Sequence, residues 1–232
     1  MTATAGRRGW LLAIDTATSR IVVAAGDSSG ALLRATEQPA GHRHGERLLR
    51  AVEQLLAETG LERDDLAGIV VGTGPGAFTG LRVGLATAKT LAHAMDRPIA
   101  GVATGAALLR AAAQPAPSAT GEIVLLLPAG PHDRVEVRGT AAPRLLPGGV
   151  EPDLAPGEIL VAVDLDGRAP ADAVARGAAA LDGLAAALVA LGAGRLAAGT
   201  VDDAAGLVPE YVTLPRGVRA ASGEIAWSHG RR

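Results

Sequence analysis

No cysteine occurs anywhere in the 232 residues. Disulfides, thiol nucleophiles and thiolate metal sites are therefore excluded, although the absence says nothing of a compartment. Aromatic side chains are nearly missing too: Trp10, Phe78, Tyr211 and Trp227 make up the 2% aromatic share. A core must then be built from Ala, Val and Leu, so each ring calls for an explanation. Lysine occurs once, at Lys89, amid an arginine and alanine excess that fits a GC-rich coding sequence. No long basic block is present and the formal net charge is −2, which disfavours a chain that grips an RNA backbone by itself. No apolar run approaches the roughly 20 residues of a membrane span. Arg7-Arg8 ahead of the apolar run 10–14 looks like an export signal, but Asp15 ends that run too early. The expectation is a soluble cytoplasmic protein.

What is present supports a folded core: 48% hydrophobic and 20% charged residues. The length suits one large domain or two lobes of about 100 residues each. After a loose leader at 1–9, residues 10–15, 21–25 and 31–37 read as three strands joined by short turns. The period then changes: Leu48, Leu49, Val52, Leu55 and Leu56 share one face of a helix over 45–59 that Gly60 ends. A buried strand at 68–72, a glycine-rich loop, a helix at 81–95 and a strand at 98–102 follow. Three antiparallel strands followed by β-α-β units form the order of an actin/Hsp70-type lobe. This sets an N-terminal lobe at 10–104 and a smaller, degenerate second lobe with the tail at 105–232. In the second part, 104–114 reads as a helix capped by Thr104, and 123–127, 134–138 and 159–163 as strands. Residues 177–191 read as one Ala-rich helix, and no internal repeat is visible in the sequence.

The loop from Gly72 to Gly80 joins a strand to a helix N-terminus, where free N–H groups and the helix dipole favour an anion. Two readings stay open: a phosphate or carboxylate contact, or a tight turn with Thr79 as N-cap and Phe78 as a hydrophobic plug. Two phosphate motifs fail. Gly72, Gly74 and Ala77 match a dinucleotide fingerprint by spacing, but Pro75 intervenes and the following strand ends without an acidic residue. A P-loop needs Gly-Lys-Ser/Thr directly after its glycines, whereas Lys89 lies well inside the helix. Asp15 after the first strand stands where actin-fold ATPases position a metal-bound water. Thr16 and Ala17, however, stand where those enzymes place glycine, and no second Asp-Gly-Gly loop follows. Asp164-Leu165-Asp166-Gly167 reads as an ordinary turn. His42, His44 and Glu46 alternate on one side of an extended segment, but nothing completes a ligand set.

Ile14-Asp15-Thr16-Ala17-Thr18, His44-x-Glu46-Arg47-Leu48 and Gly74-Pro75-Gly76-Ala77-Phe78-Thr79-Gly80-Leu81-Arg82-Val83-Gly84 occur in the order and spacing of the TsaB (YeaZ) family. The chain resembles that family from Trp10 to about Leu109 and again at Pro209-Glu210-Tyr211. The resemblance implies an α/β, two-lobed actin/Hsp70-like (ribonuclease H-like) fold and a non-catalytic scaffold subunit. That subunit would bind and activate the catalytic subunit TsaD, together with the ATPase TsaE, in making N6-threonylcarbamoyladenosine in tRNA. It implies no cofactor on this chain alone, ATP and metal on partner subunits, tRNA contact only through the complex, and a homodimer when isolated. Pairing would use Leu48, Leu49, Val52, Leu81, Val83, Gly84, Ala88 and Leu91, so Gly84→Arg or Ala88→Glu is expected to abolish it with the fold intact. An anion or nucleotide contact shared with the partner would use Asp15, Thr16, Gly74, Gly76, Thr79, Gly80 and Arg82. The alternative is a free-standing actin-fold ATPase or small-molecule kinase. Ala77 departs from the family's usual Ser, residues 128–134 replace its Asp-Ala-Arg run, and Thr213 replaces an Arg.

Overall fold

A computed structural model of the chain describes residues 9–41, 44–114 and 121–212, with the backbone alone at His44. Residues 1–8 of the expected leader, the Pro115 and Pro117 connection, His42 and Thr213 lie outside the described residues. Strands β1 (Trp10–Asp15), β2 (Arg20–Asp27) and β3 (Leu32–Pro39) form the antiparallel meander; β4 (Leu66–Gly72) and β5 (Ile99–Val102) join in parallel, in the order β3-β2-β1-β4-β5. β1 and β4 are central and covered on both faces, which is why they read as near-continuous apolar runs.

Helices α1 (His44–Thr59) and α2 (Phe78–Met95) cover one face, packing Leu48, Ala51, Leu55, Leu85, Ala88 and Ala92 on Leu12, Ile14, Ile21, Val23, Ile69 and Val71. The opposite face carries the smaller Ala13, Val22, Ala24 and Val70 and faces a central core. Helix α5 (Leu184–Ala197) lies across that face, so close that a Cβ on Gly192 would collide with the Val70 side chain.

A second sheet has β6 (Ile123–Pro128), β7 (Arg134–Arg138), β8 (Arg144–Leu146) and β9 (Ile159–Ala162) in the order β8-β7-β6-β9. Its pairings, antiparallel for β6–β7–β8 and parallel for β6–β9, repeat those of β1–β2–β3 and β1–β4. The repeat is one of topology and leaves no trace in the sequence. Where α1 links the third strand to the fourth in the first lobe, the second has the Pro- and Gly-rich stretch 147–158. Arg134 ties that stretch down through Glu151, and Arg138 does so through Glu158. Helices α3 (Thr104–Ala112) and α4 (Ala171–Asp182) complete the central core with α5.

Four sequence expectations change. β8 sits between Pro143 and Pro147, in a stretch that prolines and glycines make look broken. The single helix at 177–191 is two, α4 and α5, bent by 54° at Gly183. Neither Thr79 nor Thr104 is an N-cap: Ala77 and Ala103 hold those positions, without side-chain caps. Among the described residues no single helix is long and apolar enough to cross a membrane; α4 and α5 reach that test only as a bent pair.

Candidate functional site

β1 delivers Asp15 to its carboxyl end, fully buried. Oδ1 accepts the Ala17 N–H at 2.8 Å and Oδ2 accepts the Thr104 hydroxyl at 2.6 Å. The Thr104 oxygen in turn accepts the Gly74 N–H at 3.1 Å. Among the described residues no cation is paired with the carboxylate. Burial pushes the Asp15 carboxyl up to about 6, against the pull of the Thr104 and Ala17 hydrogen bonds.

The turn after β1 and the loop before α2 are bonded to each other. Thr16 Oγ1 donates to Gly80 O at 2.7 Å, and Ala77 N donates to Ala17 O at 2.7 Å. The glycines make this approach possible. A Cβ at Gly72 would strike the Asp15 carboxylate, at Gly76 the Ala17 carbonyl, at Gly80 the Thr16 carbonyl, and at Gly84 the Thr16 hydroxyl. Gly74 has φ 105°, open to glycine and strained for other residues, and its peptide bond to Pro75 is cis. The loop's spacing therefore seats one turn on another, and the Gly74 N–H, the Ala77 N–H and the Thr16 hydroxyl are all spent within the chain.

A second cluster stands at the start of α2. The Phe78 and Tyr211 rings lie 5.1 Å apart between centroids, and the Arg82 guanidinium sits 4.3 Å over the Phe78 ring. Arg82 Nε also donates to the Tyr211 hydroxyl at 3.1 Å. Tyr211 arrives on the returning tail, held where Glu210 N donates to Thr73 O at 2.7 Å and Asp202 N to Ile99 O at 2.9 Å. Phe78 is thus half of an aromatic pair at the surface rather than a plug.

The seven residues expected at an anion contact do converge, but on unequal terms. Asp15, Thr16, Gly74 and Gly80 are buried, whereas Thr79 and Arg82 are exposed and Gly76 half-buried. The sequence reading missed Thr104, which it took for a cap; a hydroxyl two residues past a parallel strand's end is the signal that could have found it. It also missed Asp164, whose carboxylate accepts the Ser19 N–H at 2.7 Å and the Ser19 hydroxyl, clasping the first turn to the end of β9. In the second lobe, an open cleft of about 420 Å³ is lined by His132, Arg134, Glu151 and Arg168. Its arginines are engaged with Glu151 and with backbone carbonyls. Among the described residues no group of three or more His, Asp or Glu could hold a metal ion.

Residues 37–163 match the family model described as TsaD: tRNA N6-adenosine threonylcarbamoyltransferase. A solved structure of YeaZ from Pseudomonas aeruginosa superposes with a TM-score of 0.66 at 26% identity, over 88% of this chain and 100% of that one. The chain belongs to the TsaB/YeaZ family. The tRNA threonylcarbamoyladenosine biosynthesis protein TsaB of Escherichia coli is 35% identical over 94 residues, 40% of each chain. That of Bacillus subtilis is 44% identical over 61 residues, 26% of this chain and 27% of that protein. The chain thus matches less than half the length of these curated relatives.

The fold is accordingly the α/β, actin-like, ribonuclease H-like one of YeaZ. Of the eight residues expected to face a partner in this family, Leu48, Leu81, Gly84 and Ala88 are buried under their own helices. Leu48 and Ala88 pack on the sheet, Gly84 lies against Thr16 and Leu81 against Gly74. Gly84→Arg and Ala88→Glu would therefore attack the fold rather than an interface. Leu49, half exposed, and the partly exposed Val52, Val83 and Leu91 remain open to contact. Leu49, Val52 and Leu56 recur on α1, and Val83 sits beside Gly45 one turn earlier, so the two helices share an outward apolar seam.

Proposed function

We propose that this chain is a non-catalytic scaffold subunit in the synthesis of N6-threonylcarbamoyladenosine in tRNA. It binds and activates a TsaD-type catalytic subunit and works alongside a TsaE-type ATPase. The observation that carries the reading is the mutual bonding of the two loops that would have to cradle a phosphate. Ala17 O takes the Ala77 N–H, the Thr16 hydroxyl is spent on Gly80 O, and each oxygen of the fully buried Asp15 accepts one hydrogen bond, from Ala17 N–H or from the Thr104 hydroxyl. A carboxylate buried this completely presents no solvent-facing oxygen to a metal-bound water. The names of the curated TsaB relatives supply the pathway.

Pairing with the catalytic subunit uses the α1–α2 seam of Leu49, Val52, Val83 and Leu91, and in isolation the same seam joins two copies of this chain. Nucleotide and metal belong to the partner subunits, and the setting is cytoplasmic. The rival reading, a free-standing ATPase or small-molecule kinase, requires the first turn to open. Calorimetry of the isolated chain with Mg·ATP distinguishes the two. No heat of binding and no turnover are expected; micromolar affinity with hydrolysis would sink the scaffold reading. Co-purification with the TsaD-type subunit should be lost for Leu49→Glu combined with Val83→Glu, with the monomer still folded.

A further inference from the structure

The charge on α2 is one-sided. No acidic residue occurs from Leu66 through Met95, while Arg82, Lys89 and His93 all fall on this helix. Residues 82, 86, 89 and 93 follow one another at i, i+4, i+7 and i+11, so they form one stripe along the helix. Arg82, Ala86 and His93 are exposed and Lys89 is half-buried, while the seam residues Val83 and Leu91 lie on the opposite flank. Among the described residues no carboxylate pairs with Arg82 or Lys89, although arginines elsewhere in the chain are widely paired. The N-terminal end of the stripe carries the Phe78–Tyr211 pair, with Tyr211 40% exposed. These two residues are the chain's single Phe and single Tyr, and Lys89 is its single Lys. A chain so poor in rings places two of them, Phe78 half-buried and Tyr211 exposed, beside two cations that no carboxylate pairs with among the described residues.

We propose that this flank of α2, formed by Phe78, Arg82, Lys89, His93 and Tyr211, is a contact for a single-stranded RNA loop. Arg82 and Lys89, about 10 Å apart along the helix axis, meet phosphates one or two nucleotides apart. The Tyr211 ring, held by Phe78 and Arg82, offers a face on which an unpaired base stacks. The rings decide for RNA over an acidic protein surface, since a carboxylate partner would use the cations and leave the ring face idle. With two strong cations the contact is weak in the isolated chain, in keeping with its net charge of −2, and it adds to a partner's grip within a complex. The choice of a tRNA anticodon loop as the RNA rests on the scaffold reading above; the RNA chemistry rests on the side chains.

The single Lys, Phe and Tyr allow a direct test. Selective isotope labelling of these three residue types gives one signal each for Lys89, Phe78 and Tyr211. The labelled full chain is titrated with a synthetic anticodon stem-loop, a blunt RNA duplex of equal length, and polyglutamate. All three signals should shift together and saturably with the stem-loop, and raising salt about fourfold should weaken binding about sevenfold for two phosphates. Lys89→Glu should abolish the response, and Tyr211→Ala should weaken it about tenfold, as for one stacked base. Thermal melts check that both variants stay folded. Absence of shifts up to millimolar RNA, equal response to the duplex, or a Lys89 shift with polyglutamate matching that with RNA each overturns the proposal. Co-purification of Lys89→Glu with the TsaD-type subunit separates the two claims: retained pairing with no RNA response removes this inference alone, whereas lost pairing of the wild-type chain removes the scaffold reading.

Discussion

Asp15 carries a charge that its surroundings do little to offset. The ordinary aspartate value lies near 4, and burial raises it to about 6 in the folded chain. Between those values the folded state binds more protons than the unfolded one, so stability falls as pH rises through the window, by roughly 3 kcal/mol in all. Above about pH 6 the loss is complete and the slope vanishes. Denaturant midpoints at intervals from pH 4 to pH 7 read this directly. Asp15→Asn should flatten the profile across that range, because the amide oxygen can still accept the Ala17 N–H without a charge. The glycines give a second residue-scale expectation. Gly80→Ala places a methyl against the Thr16 carbonyl, and a loss of about 2 kcal/mol or more should appear in chemical denaturation. The glycine motif and Asp15 were both legible in the sequence, but their bonding to each other was not. Spacing along one chain cannot say that Ala17 O meets Ala77 N, nor that Thr104, 89 residues beyond Asp15, completes its hydrogen bonds.

At the scale of elements, α1 and α2 divide their apolar residues between the sheet and the outside. Ala88 is fully buried, so Ala88→Glu leaves an unpaired carboxylate in the core and should cost about 4 kcal/mol or more, enough to remove the cooperative melt. Leu49 is 50% exposed, and Leu49→Glu should shift the unfolding free energy by less than about 1 kcal/mol while weakening association in sedimentation runs. Periodicity located both helices but could not separate these classes, since a helix buried on one face and seamed on another has the same spacing of Leu and Ala. The clasp between Ser19 and Asp164 belongs to this scale too. It joins the turn after β1 to the end of β9 at the surface. Ser19→Ala should therefore lower stability only by about 1 kcal/mol, read from the same denaturant curves. The second half was harder to read because its signals are weak. β8 is 3 residues long between prolines, and an unbroken alanine-rich run hides the bend at Gly183.

For the whole molecule, the two sheets share one strand plan, yet only the first carries its full set of strands and covering helices. A stretch pinned by Arg134 and Arg138 stands in for the missing helix of the second. The gap between the sheets is filled by α3, α4 and α5, and the tail closes over the ends of β4 and β5. Under the proposed scaffold role, this subunit presents surfaces to its partners rather than opening around a nucleotide. The most direct measurement is reconstitution of tRNA modification from purified TsaD-type and TsaE-type subunits, threonylcarbamoyl-adenylate and tRNA, with and without this chain. The scaffold account predicts modification only when the chain is present, at a rate that Asp15→Asn leaves unchanged and Leu49→Glu with Val83→Glu abolishes. Modification at full rate without the chain, or its loss on Asp15→Asn in a folded protein, would contradict it.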